Sequence, residues 1–97
     1  MTVFISYNQK EIQFAKALKR ALENHQVEVW LDNKMIGVGE DLKVKIKEAI
    51  DTVDYVISII SSHSIISEWF NFELSYALYR EKKENKSIVI PLLIQRG

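Results

Sequence analysis

Short apolar runs alternate with helical stripes along the whole chain, and that alternation constrains the fold more than any other feature. Residues 3–7 are β-branched and aromatic, as a strand requires. Asn8 followed by Glu11 resembles a capping box at a helix start, and Phe14, Leu18, Ala21 and Leu22 form the stripe of that helix. Val27, Val29 and Leu31 then alternate with Glu28 and Trp30, which predicts a strand with one less protected face, as at a sheet edge. Residues 32–41 carry Gly37 and Gly39 and no apolar period, so a loop is expected. Leu42, Ile46, Ala49, Ile50 and Val53 recur at helical spacing. Residues 55–60 are almost continuously apolar, which suits a central strand covered on both faces. The serine-rich stretch 61–67 reads as a loop, with Ser67 as N-cap of a third helix over 68–82 and Glu68 in its first turn, where an acid favours the helix dipole. A polar turn leads to a fourth strand over 88–94, and Pro91 in it argues for an edge or a bulge.

The order β-α-β-α-β-α-β predicts an α/β domain: a doubly wound parallel sheet with helices on both faces and right-handed crossovers. The edge character of the second strand and the buried character of the first and third select the flavodoxin-like strand order 2-1-3-4. In that order the chain reverses direction between the first and third strands. Ligands of such sheets bind outside the carboxyl ends of the strands at this switch point. A site is therefore expected near Ser6 and Tyr7, near Ser61, Ser62 and His63, beside the loop that leaves Asp32, and at the start of the third helix.

Composition narrows the class. The 97 residues make one domain, 1–97, with 47% hydrophobic and 27% charged residues, an ordinary globular balance. Thirteen basic residues against 13 acidic ones leave no net charge to attract nucleic acid or an anionic membrane surface. There is no cysteine, which removes disulfides, thiolate metal sites and cysteine nucleophiles and suits a reducing compartment. The apolar run 88–94 falls far short of the roughly 18 residues that span a bilayer. Because an apolar strand begins at Val3, no signal peptide is expected ahead of it, and a cytoplasmic location is expected. His25 and His63 stand apart from any second ligand and read as surface residues, so no metal site is expected. Neither the G-x-G-x-x-G pattern of dinucleotide folds nor a P-loop occurs.

The third helix holds the most informative residue. Trp69, Glu73, Tyr76 and Ala77 share one face at i, i+4, i+7 and i+8, so Glu73 is an acid on a mostly apolar and aromatic stripe. No cation stands three or four residues from it. The pattern allows two readings: a surface glutamate without a helical partner, or a carboxylate in a partly apolar cleft, placed for catalysis.

Val3-Phe4-Ile5-Ser6-Tyr7 resembles the opening strand of TIR (Toll/interleukin-1 receptor) domains, with Thr2 where an acid often stands. Val29-Trp30-Leu31-Asp32, with Gly39 seven residues after the aspartate, resembles the family's second strand and BB loop. Ser61, then Ser67-Glu68-Trp69 and Glu73, resembles the third strand's end and the S-x-W-x-x-x-E pattern, and Ile88-Val89-Ile90-Pro91-Leu92 resembles the fourth strand. The match runs from Val3 to Ile94, in order and on the expected elements, and looks more like the bacterial branch. The family's usual further strand and helix do not follow the fourth strand in this sequence, which is expected to be either a fragment or a chain whose exposed fourth-strand edge another copy or a partner covers.

The resemblance implies an NAD+ hydrolase that cleaves the nicotinamide–ribose bond and releases nicotinamide and linear or cyclic ADP-ribose, in signalling or defence. It implies Glu73 as the catalytic residue, with Ser6, Tyr7, Asp32, Gly39 and Trp69 on the substrate side. NAD is then a substrate, with no cofactor and no metal. Self-association, or binding to another TIR domain, is the implied partnership. From the residues themselves, Asp32 also reads as a turn cap, Gly37 and Gly39 as turn residues, and Trp69 as packing. The alternative function is a non-catalytic TIR interaction module in signal transduction, with Glu73 a bystander. A phosphoacceptor receiver domain would need acids where Ser6, Tyr7 and Ser61 stand.

Overall fold

A computed structural model describes residues 1–31, 40–62 and 68–94, with the backbone alone described for 40–43, 45 and 68–70. The elements are β1 (Thr2–Ser6), a 3-10 turn (Gln9–Glu11), α1 (Ile12–Glu23), β2 (Glu28–Leu31), α2 (Glu40–Thr52), β3 (Tyr55–Ile60), α3 (Glu68–Glu84) and β4 (Val89–Leu93). The strands form one parallel sheet in the order β2-β1-β3-β4, the flavodoxin-like order that the burial pattern of the sequence predicts. Most of the expected loop at 32–41 and the N-cap at Ser67 lie outside the described residues. Ser62 is helical, where the sequence predicts loop.

The two faces of the sheet are covered separately. On one side Val3 and Ile5 of β1 and Tyr7 just beyond it join Val29, Ile57, Ile59 and Ala15 of α1. On the other, Phe4 and Val56 pack with Ile46, Ile50 and Val53 at α2 and Ala77 of α3. Alternation along β1 and β3 sends successive side chains to opposite faces, so both strands must be apolar nearly throughout. Each fully buried aliphatic or aromatic side chain here contributes about 1.5–3 kcal/mol through burial. Ala15 is the deepest residue of α1, whereas Ala21, which the helical stripe includes, is exposed. A small residue at the centre of the contact lets the helix approach the sheet closely.

Both α1 and α3 end in the same way. Val27 N donates to Leu22 O and Gln26 N to Glu23 O, with Gln26 at a φ of 65°. Lys86 N donates to Glu81 O, with Asn85 at a φ of 53°. These are Schellman-type endings, in which a left-handed residue turns the chain sharply toward the next strand. Neither position is glycine, so sequence inspection alone does not mark them.

Pro91 sits where its missing N–H does no harm. Ile88 O accepts from Val56 N, and Ile94 N donates to Ile60 O, so the even-numbered residues of β4 turn inward to β3. By the alternation of a parallel ladder, Val89, Pro91 and Leu93 turn their backbone groups to the other side. That side pairs with no strand among the described residues, which is the edge position that Pro91 predicts. Leu93 and Ile90 are exposed there.

The turn into β4 is held by Glu81, whose Oε2 accepts from the backbone N–H of Ile88 at 2.8 Å and of Val89 at 2.7 Å. These two bonds hold the Glu81 carboxyl below its ordinary pKa, because they favour its charged form. The resulting stabilisation is complete above the ordinary carboxylate range and is lost as pH falls through the depressed value. We expect Glu81→Gln to lower stability at neutral pH and to converge with the parent as pH falls through and below the ordinary carboxylate range, so that the acid side of its profile is flatter. Melting temperature against pH for both proteins checks this. Parallel profiles would show that the carboxylate contributes nothing to the acid sensitivity.

Candidate active site

The sheet places a polar layer at one end of an otherwise apolar core. Ser6 closes β1, and its register partner on β3 is Ser58. Both point to the face that carries Phe4 and Val56, the face covered by α2 and α3. Glu73 lies one helical turn before Ala77, which packs into that cluster. The carboxylate therefore reaches the sheet just beyond the apolar cluster, at the carboxyl ends of β1 and β3. Here the Ser6 hydroxyl donates to Glu73 Oε1 at 2.8 Å in a buried hydrogen bond. Ser6, Ser58 and Glu73 are each 0% exposed.

The inner face of α3 thus changes chemistry along its length. Glu73, Ala77 and Arg80 follow one another at i, i+4 and i+7, and all three are buried. Arg80 is at the far end, where its Nη1 donates to Ile50 O and Val53 O, each at 2.6 Å. These carbonyls belong to the end of α2, so Arg80 caps one helix from another. Its Nε also donates to Glu84, and that bond holds the Glu84 carboxyl below its ordinary range. Tyr76 completes the contact between the helices by donating to Asp51 at 2.8 Å, a bond that raises the phenol pKa. Glu73 is consequently carried on a helix fastened at its other end.

Among the described residues, the buried polar side chains apart from Arg80 are Ser6, Glu11, Ser58, Ser61 and Glu73. All of these lie at or just beyond the carboxyl ends of β1 and β3, or on the helix above them. The switch-point argument from sequence places a site at this end. Two members of the group are not singled out by that argument. Ser58 is the lone polar residue in the apolar run of β3, and that interruption was a usable signal. Glu11 reads as a capping residue from sequence but has 0% exposure in the folded chain. Asn8 does cap the turn, since its Oδ1 accepts from Lys10 N at 3.0 Å.

The sequence candidates are distributed as follows. Ser6 and Glu73 are brought together. Tyr7 is buried on the opposite face, in the cluster with Ile5 and Ala15. Trp69 belongs to the first turn of α3, with its side chain outside the described residues, and Asp32 and Gly39 lie outside them altogether. Ser61 follows β3 and is buried. No group of three or more histidine, aspartate or glutamate side chains capable of holding a metal occurs among the described residues.

A doubly wound parallel sheet with a buried serine–glutamate pair at its switch point defines a flavodoxin-like domain. Its family follows from comparison. The family model described as TIR domain matches residues 3–97, and the chain belongs to the TIR domain family. It is similar to the 2′ cyclic ADP-D-ribose synthase BtTIR of Bacteroides thetaiotaomicron, at 30% identity over 90 residues, covering 92% of this chain and 31% of that protein. The 2′ cyclic ADP-D-ribose synthase AbTIR of Acinetobacter baumannii is 30% identical over 88 residues, covering 90% of this chain and 33% of that protein. The NAD(+) hydrolase TcpC of Escherichia coli is 26% identical over 90 residues, covering 92% and 29% respectively. The chain therefore spans about a third of the length of these curated relatives. Among solved structures, the TIR domains of the activated Roq1 resistosome match with a TM-score of 0.80 at 23% identity, over 95% of this chain and 56% of that one, which shows the shared fold.

Proposed function

We propose that this chain is an NAD+ hydrolase whose catalytic residue is Glu73. The observation that carries the reading is the buried Glu73 carboxylate at the switch point, held by Ser6 in a TIR domain. Relatives named as NAD(+) hydrolases and as cyclic ADP-ribose synthases support NAD as the substrate.

The chemistry suits a single acid. Breaking the nicotinamide–ribose C–N bond sends the electron pair to the pyridinium nitrogen, so nicotinamide leaves neutral and needs no general acid. The ribose is left oxocarbenium-like, as in glycoside hydrolysis. A carboxylate preorganised beside it stabilises the developing positive charge and accepts hydrogen bonds from the ribose hydroxyls. Water attacking the anomeric carbon, and losing a proton, gives ADP-ribose. Attack by one of the molecule's own hydroxyls gives a cyclic isomer. In this reading Trp69, Asp32 and Gly39 border the nucleotide around Glu73, with Ser6 and Tyr7 at the end of β1. Because the Tyr7 ring packs on the α1 side, its contribution comes through the backbone at the strand end.

Self-association belongs to the same reading. The exposed Leu93 and Ile90 on β4 offer apolar surface at the sheet edge, and self-association is the partnership that the family resemblance implies. Purified protein incubated with NAD should release nicotinamide, and the rate per molecule should rise with protein concentration or crowding. A rate per molecule that stays flat across a dilution series spanning monomer and oligomer would exclude the dependence on association. Absence of any release from concentrated protein would favour the interaction-module reading.

A further inference from the structure

The geometry points to Ser6 as the positioning residue of the site, one that acts on the reaction through Glu73 Oε1 and not by touching the nucleotide. This rests on the proposed NAD+ hydrolase reading and deepens it. A serine hydroxyl has a single proton to donate, and that of Ser6 goes to Glu73 at 2.8 Å. The side chain is fully buried, as Glu73 is, and its one proton is already committed to the carboxylate.

What Ser6 offers is rigidity. Its strand is paired on both sides, to β2 through Thr2–Glu28 and the following residues and to β3 as far as Ser6–Ser58. Glu73, by contrast, ends in a torsion that is broad and roughly two-fold, so packing alone orients its carboxylate plane weakly. One hydrogen bond from the centre of the sheet selects a carboxylate orientation and ties α3 to β1 across 67 residues of sequence. The neighbouring Ser58 provides an internal comparison. It shares the face, the burial and the residue type, but its Oγ has no hydrogen-bond partner among the described residues.

The test compares Ser6→Ala, Ser6→Thr and Ser58→Ala with the parental protein by steady-state release of nicotinamide from NAD. Ser6→Ala should lower kcat on the order of 10- to 100-fold, the range in which misplacement of a catalytic group operates. KM should stay within about twofold, because no ground-state contact is lost. Ser6→Thr, which restores the hydroxyl, should recover most of kcat. Ser58→Ala should leave both constants within about twofold of the parent. Should Ser6→Ala unfold, Ser6→Cys, which approximates the volume and weakens the donor, carries the same comparison. A folded variant without the hydroxyl that keeps the parental kcat, or that changes KM alone, overturns the positioning role. So does an equal loss of kcat in Ser58→Ala, since that marks a general packing effect. A parental protein that releases no nicotinamide at any concentration overturns the proposed activity itself, and this assignment with it. A parental protein that is active and unaffected at Ser6 overturns only the assignment.

Discussion

Glu73→Gln should abolish nearly all nicotinamide release, with a loss on the order of 10²-fold or more, since one preorganised electrostatic contact is typically worth that much. The substitution keeps the length of the side chain, its helix propensity and an oxygen that can still accept from Ser6. It removes only the charge that the oxocarbenium-like ribose would meet. The fold should survive. A carboxylate that is 0% exposed has lost its hydration, and the neutral amide costs less to bury. Melting temperature should therefore hold or rise. Glu48→Gln, on the exposed surface of α2, removes the same charge far from the polar layer and serves as the control. A folded Glu73→Gln protein with the parental rate would refute the catalytic role. If the parental protein and both variants show no turnover even when concentrated, the TIR fold here serves interaction alone.

The second large effect is on stability. Arg80→Met should cost about 2–4 kcal/mol, because it leaves the buried carbonyls of Ile50 and Val53 without their donor. For a domain of this size, that corresponds to a melting temperature lower by on the order of 10–20 °C. Methionine preserves much of the packing of the aliphatic stem, so the loss reports the guanidinium and not a cavity. Arg80→Lys keeps the charge but cannot present a planar fork to two carbonyls and Glu84 together, and should fall between the two. Glu84→Gln should change stability little, since its side chain is largely solvated. Thermal unfolding of the four proteins gives the comparison. An Arg80→Met protein that melts with the parent would mean that the end of α2 finds water or another donor instead. Because Arg80 and Glu73 share one face of α3, loosening the cap also tests whether the anchoring of that helix affects turnover.

Much of the architecture is written in local periodicity. The apolar run of β3, the alternation in β2 and the stripe of α2 each reveal an element and its degree of burial. From these the order β2-β1-β3-β4 and the location of the switch point follow before any coordinate is known. The 3.6-residue spacing also puts Glu73 on one face of α3 with Ala77, one turn on, while the burial of both residues decides that this face is turned inward. Pro91 marks an edge because only there is a missing N–H harmless. In each case the information lies within one element, because the direction of a side chain is set by the backbone that carries it.

Tertiary structure alone decided which polar groups meet. Nothing in the sequence pairs Ser6 with Glu73, 67 residues away, over Ser58, its register partner on β3. The choice depends on the angle and height at which α3 crosses the strands. The same holds for Arg80, which is buried because the carbonyls at the end of α2 arrive beneath it. Glu11 looks like a routine capping acid, yet the folded chain buries it fully. Burial of apolar groups is non-directional, so its pattern can be read one element at a time. Hydrogen bonds are short and directional, so their partners are settled only when the elements have docked.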